Sequence, residues 1–150
     1  MSLQLYIDRL EQFAARCGAP VIRASLTAGV SGRVEERHIV LGLGLTPEQQ
    51  VLTLVHELTH LISHCYAHPR LNRKVCEYEA EAVERWVGIE LGVRPYAAEI
   101  LDVASVTEDL LACSVARVRW AAVTLVSAAR SDDAAAVNPQ RLQAQTAVQV

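Results

Sequence analysis

A chain of 150 residues fits one compact domain able to bury a core of useful size. Apolar residues make up 51% of it, yet the aromatics are only four Tyr, two Trp and one Phe, a balance that suits a mainly helical protein rich in Ala, Val and Leu. The net charge of -3 and pI near 5.9 provide no basic field, which argues against nucleic acid or an anionic membrane as partner.

The chain opens MSLQLYIDRLEQF, mixing charged and apolar residues instead of showing a basic start and an apolar run, so no signal peptide is expected. Leu3, Tyr6, Leu10, Phe13 and Ala14 fall at helical spacing, predicting an amphipathic helix over residues 3–16 that stops near Gly18. Residues 20–26 predict a short strand. Gly29, Ser31 and Gly32 supply turn chemistry, and residues 34–43 predict a second strand. The two are expected to form a hairpin or to lie as neighbours in a small sheet.

Thr46-Pro47-Glu48-Gln49 is a helix start: Thr46 caps, Pro47 suits the first helical position, and Gln49 completes a capping box. That helix is expected to reach about Cys65. Pro69 and Asn72 mark a loop, with Asn72 capping a third helix that ends at Gly92. Pro95 opens a short helix, and Thr107 caps a longer one reaching about Arg130. The fold class is therefore α+β, a mainly helical domain over 1–130 with a small sheet or hairpin before the second helix. Residues 131–150 lose the apolar stripe and read as a flexible tail. No run of about 18 apolar residues occurs. Cys17, Cys65, Cys76 and Cys113 form no C-x-x-C pair, consistent with plain thiols in a reducing cytoplasm.

The chemistry concentrates in the second helix. His56-Glu57-Leu58-Thr59-His60 is an H-E-x-x-H motif, and residues four apart share a helix face, so both imidazoles can reach one ion. Glu57 lies about 100° round the axis from His56, where its carboxylate can reach a metal-bound water and act as general base. Catalytic zinc takes three protein ligands. Ser63 and Tyr66 stand where a metzincin would need glycine and histidine, which excludes that class. The third helix offers Glu77-Tyr78-Glu79-Ala80-Glu81. Glu77 is favoured as ligand, with Glu81 behind it orienting His56 or His60; Glu81 and Glu79 are the alternatives for the ligand itself. Glu79 and Glu84 read as a solvated acidic face. His64, one turn beyond His60, and His68, in the following loop, are candidates to line the cleft, stabilise an oxyanion or replace the glutamate ligand. Tyr96, with Tyr66 and Tyr78, is a weaker oxyanion candidate. The strand before the metal helix offers an edge to an extended peptide.

PEQQVLTLVHELTHLISH followed by CEYEAEAVERWVGIELGV resembles the ImmA/IrrE-like zincins and, more closely, the zincin domains associated with ArdC-type antirestriction proteins. DLLACSVARVRWAAVTLVSAA is similar to their C-terminal helix, so the resemblance covers about residues 33–130. H-E-x-x-H is common to many zincins; its combination with E-Y-E-A-E is more specific. Glu84 departs from the pattern, which often has a small residue there. The resemblance implies a cytoplasmic zinc metallopeptidase of bacteria or their mobile elements, binding one Zn2+ through His56, His60 and Glu77, with Glu57 as catalytic base. Its implied partner is a protein or peptide substrate, such as a helix-turn-helix repressor. Two histidines and a carboxylate also suit manganese, cobalt or iron. The competing expectation is a non-catalytic interaction module, an antirestriction or toxin–antitoxin accessory, with a structural zinc.

Overall fold

A computed structural model describes residues 1–67, 69–93 and 108–131. His68, the segment around Pro95 and Tyr96, the Thr107 cap and the tail from 132 lie outside the described residues, as do the side chains of Tyr66 and of 108–112. Among the described residues the fold is mainly helical α+β, with four α-helices, a π-helical segment and a three-stranded sheet.

Helix α1 (Leu3–Arg16) starts at Ser2, whose hydroxyl accepts from the Leu5 N–H, and buries Ile7, Leu10, Phe13 and Ala14. It ends at Gly18, whose φ of 81° is a left-handed conformation that costs glycine no side-chain clash. Strands β1 (Val21–Ala24), β2 (Gly32–Glu35) and β3 (His38–Gly42) form a sheet in the order β1-β3-β2. β1 runs parallel to β3 and β2 antiparallel to it. The single strand expected over 34–43 is thus a hairpin broken at Glu36-Arg37. Tight hairpins usually announce themselves with Asn-Gly or Asp-Gly at positive φ. Among the described residues no non-glycine residue has positive φ, so the turn carries no such signature. Glu35 and His38 face each other across it, with His38 Nε2 2.6 Å from Glu35 Oε2.

Helix α2 (Pro47–Thr59) begins with the full reciprocal capping box between Thr46 and Gln49. It is the central element, touching α1, helix α3 (Arg73–Leu91), β2 and β3. Val51, Leu52, Leu54, Val55 and Leu58 are all buried, so α2 is walled in by apolar contacts except along the strip carrying His56 and His60. The α-helical winding was expected to continue to Cys65. It instead gives way at His60 to a π-helix over His60–Ala67. Thr59 supplies a local reason: its Oγ1 donates to the Val55 carbonyl at 2.7 Å, a back-bond that competes with the helical ladder and bends it.

Asn72 caps α3 by accepting from the Lys74 N–H, and α3 stops at Gly92. Helix α4 (Glu108–Arg130) packs against α1 and α3. The buried Arg9 of α1 donates to the Ala129 and Arg130 carbonyls, satisfying the open end of α4. The four cysteines are free thiols, and burial pushes the Cys17 pKa up to about 11. Among the described residues, no helix is long and apolar enough to cross a membrane.

Gly32 was assigned only to turn chemistry, but it lies in β2 directly over α2. A β-carbon there would stand 2.5 Å from Thr53 Cγ2 and 3.2 Å from Glu57 Cγ. Gly32→Ala should therefore lower stability by about 1–3 kcal/mol, the usual cost of overpacking, measured by thermal or denaturant unfolding. Thr53→Ser in the same chain should recover part of the loss by removing that methyl. An unchanged midpoint for Gly32→Ala would mean that β2 can lift off α2 freely.

Candidate metal centre

His56 sits near the end of α2 and His60 at the first position of the π-helix, one turn on. Their Nε2 atoms converge to 3.1 Å. Glu77, in the second turn of α3, closes the group: its Oε2 lies 3.4 Å from His56 Nε2 and its Oε1 3.4 Å from His60 Nε2. Ligands bound tetrahedrally at about 2.1 Å are separated by about 3.4 Å. Each of the three separations is of that order, the two to Glu77 running to different oxygens, and the His56–His60–Glu77 group could hold a metal ion. The fourth side opens into a groove of about 1070 Å³ lined by β2, α2 and α3 residues, including Glu57, Glu81 and Glu84.

His56 is oriented from behind by Glu84, whose Oε2 lies 3.1 Å from His56 Nδ1; with a proton kept there, Nε2 is the nitrogen that an ion would take in place of its proton. The orienting hydrogen bond expected of Glu81 is thus made by Glu84. Helix geometry accounts for the exchange: seven residues on from Glu77 return to within about 20° of its direction, whereas four overshoot by about 40°. Glu81 lines the groove instead, with its pKa raised by burial.

Glu79 also departs from expectation. It is no solvated carboxylate but 1% exposed. Its Oε1 accepts from Ser114 Oγ at 2.7 Å and from the Arg117 guanidinium at 2.6 and 2.9 Å, while its Oε2 lies 3.0 Å from His64 Nε2. His64 is buried, with its Nδ1 2.9 Å from His60 Nδ1. Its two nitrogens are thereby turned away from the three ligand atoms. Ser114 and Arg117 carry no motif, and nothing in their surroundings in the sequence points to Glu79. Tyr78 is half-buried and does not line the groove. His68 and Tyr96 are outside the described residues.

Electrostatics follow from this crowding. Burial pulls the His56 pKa down, but hydrogen bonds to Glu77 and Glu84 outweigh it and hold it up at about 10. Hydrogen bonds from His56 and His60 drive Glu77 far below the usual carboxylate range. Glu57 goes the other way: burial raises it, only partly opposed by His56, His60 and a backbone hydrogen bond from Val34 of β2.

Two outcomes are expected. In the metal-free chain, the raised His56 pKa gives stability fully present below the unfolded value of 6.5 and lost as pH rises through about 10. An ion competes with that proton, so divalent-metal affinity should rise with pH, and binding near neutrality should release protons. Calorimetry in buffers of different ionisation enthalpy measures the release, and pH-independent binding would contradict the arrangement. Glu84→Ala should weaken the same binding by roughly 10–100-fold, the usual effect of losing a partner behind a ligand.

Comparisons with known protein families, with curated proteins and with solved structures return no match to this chain.

Proposed function

We propose that this chain is a zinc-dependent metallopeptidase of the ImmA/IrrE-like kind that cuts a peptide bond in a protein partner. The observation that carries the reading is the placement of Glu57. It is 7% exposed, in the groove lining, one residue from His56 and under the same field as all three ligands. A carboxylate with a raised pKa beside an ion's open side is a competent proton acceptor for water and a donor to a leaving amine.

Zinc held by His56, His60 and Glu77 would supply a Lewis acid that acidifies water and polarises the scissile carbonyl. The protein's own residues do the rest. Glu57 takes the proton from the attacking water and returns it to the departing nitrogen. β2 is an edge strand bordering the groove, where its outward backbone groups other than the Val34 N–H, which Glu57 takes, can align an extended segment. A repressor of the helix-turn-helix type is the substrate that the family resemblance suggests.

The competing reading, a closed structural zinc, needs a fourth protein ligand. Its best described source was His64, and both His64 nitrogens are engaged with His60 and Glu79. That observation supports an open site.

Zinc-loaded chain should cleave a fluorescently labelled unfolded protein, and a chelator should stop it. Glu57→Gln should retain zinc and lose roughly 10²–10⁴-fold in rate, the range of a general base. Cleavage by Glu57→Gln at the unaltered rate would remove Glu57 from the mechanism. Zinc binding with no cleavage of unfolded or repressor substrates would favour the interaction module.

A further inference from the structure

Two imidazoles meeting nitrogen to nitrogen, and a carboxylate sealed behind them, do not serve the proton transfer assigned to Glu57. We infer that His64 and Glu79, held by Ser114 and Arg117, form a positioning relay that fixes His60 in its metal-binding tautomer and orientation. This rests on the metal centre of His56, His60 and Glu77, but not on peptidase activity.

With an ion on His60 Nε2, the hydrogen-bond distances leave one consistent arrangement of protons. His60 Nε2 faces His56 Nε2 and Glu77, so it is the nitrogen whose lone pair an ion would take. A neutral imidazole that binds through Nε2 carries its proton on Nδ1. That Nδ1 lies 2.9 Å from His64 Nδ1, which can only accept. His64 then holds its own proton on Nε2, which lies 3.0 Å from Glu79 Oε2. The carboxylate accepts it, and its second oxygen is occupied by Ser114 and Arg117. Reversing any one link sets two donors or two acceptors against each other. Every member is held in place: Glu79 and Ser114 are 1% and 2% exposed and His64 is 7% exposed. The relay also ties α4, through Ser114 and Arg117, to His60 at the start of the π-helix.

The geometry gives His64 two simultaneous duties, accepting from His60 and donating to Glu79. Glutamine can perform both, with its amide oxygen and its NH₂; phenylalanine fills the space and performs neither. Zinc affinity should therefore fall by roughly 10–100-fold in His64→Phe, as when a ligand loses its hydrogen-bond partner, and recover for the most part in His64→Gln. A chromophoric chelator in competition with the protein reads both. A packing role would produce the opposite order. The second measurement needs no variant. In the zinc-loaded, ¹⁵N-histidine-labelled chain, long-range ¹H–¹⁵N spectra should show His60 protonated at Nδ1 and His64 at Nε2. His64 carrying its proton on Nδ1, or His64→Phe binding zinc as tightly as the unaltered chain, would overturn the relay and leave the metal centre standing. Failure of the unaltered chain to bind zinc would overturn both.

Discussion

Two imidazole nitrogens held 3.1 Å apart, with a carboxylate 3.4 Å from each, are the constraint around which the helices are arranged. Such a group cannot persist on mobile side chains, because each would lose rotamer freedom for little return in water. It is made rigid by burying the backbone that carries it. α2 is enclosed by α1, α3 and two strands, and Gly32 lets β2 close onto Thr53 and Glu57 where a side chain would force its neighbours to shift. The groove remains the one polar strip on a helix whose other faces lie in the core.

Charge is the second requirement. Glu57, Glu77 and Glu84 crowd onto the two histidines, and carboxylates this close oppose each other's ionisation. The metal-free chain answers with a proton: His56 is held up at about 10 by Glu77 and Glu84. A divalent cation would meet the same demand with twice the charge, held by His56, His60 and Glu77. The field that makes His56 a strong base is thus the field that would favour a dication, while burial, only partly opposed by the two histidines, keeps the Glu57 pKa raised.

What could be read from the chain was what depends on local spacing. His56, Glu57 and His60 stand out because four residues make about one turn, and the Thr46–Gln49 box and the Asn72 cap are complete within a few residues. Glu77 was reachable because it shares a short motif with its rivals, though only the packing of α3 on α2 turns it, rather than Glu81, towards both histidines. The break at Glu36-Arg37 was hidden because its turn uses ordinary backbone angles and ordinary residues. Glu79 and Glu84 looked like solvated acids because burial of a carboxylate is decided by its partners. Those partners, Arg117 and His56, are 38 and 28 residues away.

The pair of Glu79 and Arg117 is best understood by what it does not contribute. Bringing two charges out of water costs several kcal/mol per ion, and such pairs often give no more net stability than apolar residues of the same volume. A carboxylate that is 1% exposed is therefore weak evidence of a need for stability. Apolar packing, however, has no direction: it can hold a ring in a volume without deciding which nitrogen carries the proton. Hydrogen bonds can, and here Ser114 and Arg117 occupy one oxygen of Glu79 while the other faces His64. A buried charge with a fixed free oxygen defines the tautomer of His64, and His64 defines that of His60. The energetic cost of sealing Glu79 in the core thus has a structural return at the metal-binding nitrogen two hydrogen bonds away.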